Sequence, residues 1–257
     1  MSNNILIIPA RMDSSRFPGK PLKKINGIPM IGHCYYRAKM SKMTKEVYVA
    51  TCDKEIESYI HSIGGKAIMT SADHERASDR ASEAMMKIEQ EKGYKTDIIT
   101  LYQGDEPMIT PEMIDLSINK MLTDNNIEVI NLMSEISSET EFEDPNEVKV
   151  VVDNNNDAIY FSREPIPSTK KYSEQIKKYK QVCVIPFRRN SLIEFNNTKQ
   201  TYLEEIESID MLRIIQTGKK VRMVNIDKHV FSVDTPSDLK KVEDLMINDK
   251  LIQLYGQ

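Results

Sequence analysis

Tryptophan is missing from this 257-residue chain, and cysteine is scarce: only Cys34, Cys52 and Cys183 occur. Three scattered thiols, odd in number and without C-x-x-C spacing, build neither a disulfide framework nor a zinc site. Reduced thiols and a cytoplasmic location are therefore the expectation. Histidine is also sparse. His33 has apolar neighbours at helical spacing and reads as packed, while His61, His74 and His229 have no partners at metal-ligand spacing. No apolar run approaches the roughly 20 residues of a membrane-spanning helix. No basic region followed by a long apolar run opens the chain, so no signal peptide is expected. There is no excess of positive charge either, since the formal net charge is −4, which argues against a general nucleic-acid binder. No repeat, no low-complexity segment and no Ser-His-Asp or Cys-His arrangement is visible. The abundance of methionine beside the missing tryptophan is packing chemistry.

What is present is the composition of an ordinary globular protein, 40% hydrophobic and 29% charged, long enough for one large α/β domain. Strand-like runs at 5–8, 47–51, 67–69 and 97–101 alternate with helical patterns at 30–38, 54–63, 81–88 and 111–121. Strand, loop and helix in repetition predict right-handed crossovers and a mostly parallel, doubly wound sheet. Ser78 is the expected N-cap of the third helix, and Thr110-Pro111 opens the fourth. The rhythm changes after residue 127. Strands are expected at 129–132, 148–152, 158–161 and 181–187, with an Asn-rich turn at 154–157 and an irregular loop at 165–180. A helix over 203–217 and a strand over 220–226 follow. Thr235, Pro236 and Asp238 then form a helix start. The reading is a single domain over 1–257 with a β-rich insertion at about 140–200.

The chemistry starts at the first strand. Residues 5–8 are all apolar, as in a strand buried on both faces, and a loop carrying Arg11, Arg16 and Lys20 follows directly. A cationic loop at the carboxyl end of a buried strand is where an open α/β sheet binds ligands, and three cations suit a polyphosphate. The glycines are in the wrong places for a P-loop or a dinucleotide fingerprint. Asp105, in Gln-Gly-Asp-Glu-Pro, and Asp234, in Val-Asp-Thr-Pro, each follow an expected strand. Such a carboxylate pair, with water and phosphate oxygens completing the shell, is how Mg²⁺ is held. Asp234 also reads as a helix-capping carboxylate, and Asp105 as a turn former. Residues 73–80, with Arg76, Ser78 and Arg80, suit a base, ribose or anion site, or alternatively a charged capping loop. Arg163 could grip an acidic group or form a salt bridge at the rim. Without a nucleophile, the expected chemistry is direct in-line displacement.

Taken together, residues 8–22 (Ile-Pro-Ala-Arg-Met-Asp-Ser-Ser-Arg-Phe-Pro-Gly-Lys-Pro-Leu), 103–107 (Gln-Gly-Asp-Glu-Pro), 144–150 (Asp-Pro-Asn-Glu-Val-Lys-Val), 160–163 (Tyr-Phe-Ser-Arg) and 233–236 (Val-Asp-Thr-Pro) resemble the 3-deoxy-manno-octulosonate cytidylyltransferase family. The resemblance spans nearly the whole chain. It implies a Rossmann-like nucleotidyltransferase fold and a homodimer formed partly through the insertion. It also implies reaction of CTP with an ulosonic acid to give a CMP-sugar and pyrophosphate, with Mg²⁺ on Asp105 and Asp234, for lipopolysaccharide or capsule synthesis. Catalytic roles would fall to Arg11, Lys20 and Asp105. Nucleotide binding would fall to Ala10, Arg11, Ser15, Arg16, Lys20, Ser78, Arg80 and Gln103, and acceptor binding to Gln103, Arg163, Gln181, Asp210 and Met211.

The chain departs from the family pattern at Arg76-Ala-Ser-Asp-Arg80, where the family has Ser-Gly-Thr-Asp/Glu-Arg. It departs again at Gln181 and Ile185, which replace a His and a Tyr, and at Met211, which replaces a Gln. These changes leave open another acidic acceptor: an amino-Kdo, a nonulosonic acid or a phosphonate. A nucleotide-sugar glycosyltransferase would need Asp-x-Asp where Gly-Asp-Glu stands.

Overall fold

The computed structural model describes residues 2–13, 16–171 and 176–256. The chain opens with strand β1 (Asn4–Pro9), a short turn of 3₁₀ helix (Lys20–Leu22) and the small hairpin β2 (Lys24–Ile25) and β3 (Ile28–Pro29). There follow α1 (Met30–Lys39), β4 (Glu46–Thr51), α2 (Lys54–Ser62), β5 (Ala67–Met69), α3 (Ala77–Lys92), β6 (Ile98–Tyr102) and α4 (Pro111–Thr123). Next come β7 (Ile130–Glu135), α5 (Glu139–Glu143), β8 (Lys149–Val152), β9 (Ala158–Ser162), β10 (Tyr179–Val182) and β11 (Val184–Arg188). The chain closes with α6 (Arg189–Asn197), α7 (Tyr202–Glu207), α8 (Met211–Gln216), β12 (Arg222–Ile226), α9 (Pro236–Leu245) and α10 (Ile252–Tyr255). Among the described residues no helix is long and apolar enough to cross a membrane.

The first sheet has the order β11-β6-β1-β4-β5, with β6, β1, β4 and β5 parallel and β11 antiparallel at the edge. Every residue of β1 is buried. Leu6 and Ile8 enter one core with Ile31 and Cys34 of α1 and Ile114 and Ile118 of α4. Ile5 and Ile7 enter the other with Ala81, Met85 and Ile88 of α3. Two covered faces explain why the strand reads as an unbroken apolar run. The second sheet, in the order β12-β7-β10-β8-β9, pairs β12 and β7 in parallel and is otherwise antiparallel. Mostly parallel order thus holds for the first sheet, and the β-rich part builds a sheet of its own.

Several local expectations change. The apolar run at 181–187 is two strands: Val182 pairs with Leu132 in the second sheet, whereas Val184 pairs with Tyr102 in the first. The chain changes sheets at Cys183, and hydropathy alone carries no mark of that switch. The helix expected over 203–217 breaks at Ser208, a non-glycine residue in the left-handed region (φ 53°). Helices α5 and α6 have no counterpart in the expected pattern. Ser78 does not cap α3; Arg76 holds that position, and Ser78 lies inside the helix. Asp234 follows no strand, because β12 ends at Ile226 in the second sheet, and the chain returns through a loop to the first. Thr235 does cap α9: its hydroxyl accepts the Asp238 N–H, while the Asp238 carboxylate accepts the Thr235 N–H at 2.8 Å.

The C-terminal segment is fastened to α1 by buried polar groups. His33 Nε2 donates to the Ile25 carbonyl (2.8 Å), which leaves Nδ1 to accept from the Tyr255 hydroxyl (3.0 Å). Arg37, fully buried, donates through Nε to the same hydroxyl and through its terminal nitrogen to Asp249. Burial pushes the His33 imidazole down to about 4, and the Arg37 charge adds to this against the opposing Ile25 carbonyl. The folded His33 pKa lies below the unfolded value, so its contribution to stability is complete above about 6.5 and is lost as pH falls toward 4. Wild-type unfolding free energy should fall between pH 7 and pH 4.5 by up to about 3 kcal/mol more than that of His33→Gln. Denaturant titrations at the two pH values measure the difference, and parallel losses would remove His33 as the cause.

Candidate active site

The cationic loop is held by backbone geometry. Ala10 N–H donates to Ala50 O (2.9 Å), Met12 N–H to the Asp53 carboxylate (2.7 Å), and Gly19 N–H back to Met12 O (2.9 Å). Gly19 sits at φ 71°, a left-handed conformation natural to glycine, and turns the chain into the Lys20–Leu22 helix. This delivers the Lys20 ammonium, largely buried, to Asp105 Oδ2 (2.9 Å), Asp234 Oδ1 (3.4 Å) and the Val233 carbonyl (2.7 Å). Burial lowers the pKa of Lys20, but the Asp105 and Asp234 carboxylates outweigh it, so the net shift is upward. Arg16, half exposed, donates to Asp234 Oδ1 (2.9 Å) and to Asn146 Oδ1 (2.5 Å). Segments 8–22, 103–107, 144–150 and 233–236 therefore converge on one spot.

Gly104 is needed there for packing. A Cβ at this position would stand 3.1 Å from the Pro9 carbonyl and 3.0 Å from Ile31 Cδ1. The loop after β6 thus lies directly against the end of β1. The Val233 N–H donates to the Asp105 carbonyl at 2.9 Å, which places the two acids together without a strand leading to Asp234. Asp105 Oδ1 and Asp234 Oδ2 accept no hydrogen bond from the described residues. No cluster of three or more His, Cys, Asp or Glu side chains able to hold a metal occurs among the described residues. Two carboxylates with one free oxygen each fit Mg²⁺, which keeps several waters and shares substrate phosphates.

Two cavities meet at this spot. The smaller, about 280 Å³, is lined by Ala10, Arg11, Arg16, Lys20, Arg80 and Gln103. The larger, about 380 Å³, is lined by Ser78, Gln103, Arg163, Gln181, Asp210 and Met211, with Ile185. Arg16, Arg76, Gln103, Asp105 and Asp234 belong to both walls, so the carboxylate pair lies at the junction. Ser15 lies outside the described residues.

The site residues differ in how free they are. Arg11 is exposed and makes no hydrogen bond or ion pair with the described residues. Arg80 is buried and braces the preceding loop through Thr70 Oγ1 (2.5 Å) and the Ser71 carbonyl (3.2 Å). Arg163 spends its donors on the carbonyls of Glu207, Pro145 and Ser208. Ser78 donates to Asp210 Oδ2 (3.0 Å), and Arg76 pairs with the other oxygen of the same carboxylate. Met211 is packed in the core beneath the larger cavity.

Other groups of the larger cavity lie outside the expected set. Glu106 is buried and accepts the Cys183 N–H (2.9 Å). Burial raises its carboxyl to about 7, with Asp105 and Glu147 adding to the shift. Lys180 is buried between Glu141 (2.7 Å) and Glu147 (3.0 Å), and these acids raise its pKa against the burial that lowers it. Glu106 stood in view inside Gln-Gly-Asp-Glu-Pro. Lys180 had no signal, because it reads as the last residue of a Lys-rich loop, whereas it lies inside β10.

Comparison with known proteins agrees with this geometry. The family described as Cytidylyltransferase matches residues 5–221. A 3-deoxy-manno-octulosonate cytidylyltransferase of Thermodesulfovibrio yellowstonii is 42% identical over 247 residues, covering 93% of this chain and 96% of that protein. One of the same name from Escherichia coli is 40% identical over 249 residues, covering 97% and 98%. The solved structure of a CMP:2-keto-3-deoxy-manno-octonic acid synthetase complexed with CTP superposes with a TM-score of 0.87 at 40% identity, covering 95% of this chain and 98% of that one.

The shared ammonium makes its own energetic test. Lys20→Met should destabilise the fold by about 2 kcal/mol, between the values for exposed and buried pairs, because two carboxylates lose a common counter-charge. Asp105→Asn in the Lys20→Met background should recover part of that loss. A double-mutant cycle by chemical denaturation reads the coupling, and strictly additive costs would show that the contact contributes nothing.

Proposed function

The chain belongs to the 3-deoxy-manno-octulosonate cytidylyltransferases, and on that footing we propose that it activates 3-deoxy-manno-octulosonate with CTP, giving the CMP-sugar and pyrophosphate for lipopolysaccharide synthesis. It is a nucleotidyltransferase. A hydroxyl oxygen of the sugar acid bonds to the α-phosphorus of CTP, the bond from that phosphorus to the bridging oxygen breaks, and pyrophosphate leaves as the hydroxyl proton is released. The observation that carries the reading is the carboxylate pair at the junction of two cavities, one lined by cations and one bordered by strands of both sheets.

The chain's own groups divide the work. The smaller cavity receives the triphosphate: Arg11 has free donors for phosphate oxygens, and Arg16 and Lys20 add fixed positive charge where negative charge builds up in displacement. Asp53, through the Met12 N–H, keeps the loop in register with β1. Gln103 belongs to both cavities and is placed to touch both substrates. Lys20 holds Asp105 and Asp234 side by side, and these two would hold Mg²⁺. Bound there, the ion would polarise phosphate oxygens and acidify the attacking hydroxyl. A homodimer through the inserted segment belongs to the same reading; edge strand β9 there leaves Ile159 57% exposed, an apolar side chain suited to cover by a second copy.

Pyrophosphate release with CTP, Mg²⁺ and 3-deoxy-manno-octulosonate tests the reading, with ATP and UTP expected to support little turnover. Release with a phosphonate and with no sugar acid would overturn the acceptor and keep the chemistry. Asp105→Asn and Asp234→Asn should each lower kcat by about 100-fold or more. Near-normal rates in either variant would remove that residue from the metal site.

A further inference from the structure

Gln181 lines the larger cavity, and its amide has a fixed orientation. The constraint comes from the neighbouring strand. Asn131 on β7 is fully buried, and its Nδ2 lies 2.7 Å from the Val182 carbonyl and 2.9 Å from the Leu132 carbonyl. Both carbonyls can only accept, so the amide nitrogen of Asn131 must face them and its Oδ1 must face the other way. That oxygen is 2.5 Å from Gln181 Nε2 and can only accept, so the donor end of Gln181 turns inward. Gln181 Oε1 is left without a donor from the described residues, in a side chain that borders the cavity.

The cations of the same wall are already engaged. Lys180 serves Glu141 and Glu147, Arg163 serves three backbone carbonyls, and Arg76 serves Asp210. A fixed acceptor bordering the cavity selects a ligand that brings a proton of its own.

We propose that Asn131 is a positioning residue that orients Gln181, and that Gln181 Oε1 reads a hydroxyl donor on the acceptor sugar. The inference rests on the proposed function, which supplies that sugar. A neutral hydrogen bond of this kind discriminates between its substrate and an analogue lacking the donor.

Pyrophosphate release with 3-deoxy-manno-octulosonate and CTP, each varied, tests it in wild type and variants, with circular dichroism as the folding control. Gln181→Met, close in shape but without an acceptor oxygen, should raise KM for the sugar acid by about tenfold, and leave KM for CTP unchanged. Gln181→Glu, which turns a second acceptor toward the Asn131 Oδ1, should raise the sugar KM at least as much as Gln181→Met. Asn131→Ala should raise the sugar KM because the Gln181 amide is free to flip. In the Gln181→Met background Asn131→Ala should add nothing, since no amide is left to orient. Equal losses in both backgrounds would overturn the positioning role. Should Asn131→Ala fail to fold, Asn131→Thr replaces it in the same cycle. An unchanged sugar KM in Gln181→Met, with wild-type turnover intact, would overturn this inference alone. No wild-type turnover of the sugar acid would overturn the proposed function and this inference with it.

Discussion

The Lys20 ammonium, gripped by Asp105, Asp234 and the Val233 carbonyl, is the contact on which the site depends. Three segments far apart in the chain end at one nitrogen: the loop after β1, the loop after β6 and the approach to α9. A lysine this deeply buried would deprotonate or stay solvated without partners, and two carboxylates this close would repel without a cation. Each group makes the other tolerable. The price of that mutual neutralisation is low because the backbone brings the partners together first, through the Val233–Asp105 hydrogen bond and the close fit of Gly104 against β1.

A second buried ionic network holds the far side. Glu204, fully buried, takes a two-point contact from Arg213 at 2.7 and 2.6 Å and a longer one, 3.4 Å, from Arg76. Arg76 also pairs with Asp210, whose other oxygen receives Ser78. This network ties the start of α3, which borders the smaller cavity, to α7 and to the start of α8, which borders the larger. A buried pair of this kind adds little net stability over a well-packed apolar core, and losing one member strands a charge. Its visible effect is geometric: the cation that departs from the family pattern borders both cavities yet is paired with Glu204 and Asp210.

Much of the first sheet was legible in the residues. Alternating strand and helix patterns read directly, because the central strands are buried on both faces and the helices show one apolar stripe. The cationic loop and Asp105 were legible for the same reason, as polar residues at the end of a buried strand. The later half was harder. Hydropathy does not record which sheet a strand joins, so the switch at Cys183 stayed hidden, and a left-handed Ser208 gave no warning of a helix break. Asp234 was expected at the end of a strand, whereas the strand before it lies in the other sheet and a loop carries it beside Asp105. Asn131, Lys180 and Glu204 were illegible because a buried polar side chain has meaning only through partners distant in sequence.

The change of sheets at Cys183 has a consequence for how such a protein can diversify. Strand β10, just before it, hangs on the second sheet, and strand β11, just after it, belongs to the first; its own N–H and carbonyl are taken by Glu106 and Gln103 at the junction. Both sheets therefore border the larger cavity, Gln181 on one side of that peptide and Ile185 on the other. Departures from the family pattern fall on both sides of it, at Gln181 before and at Ile185 and Met211 after, while the motifs around the smaller cavity stay legible. The protein is built so that its choice of partner can drift while its chemistry stands still.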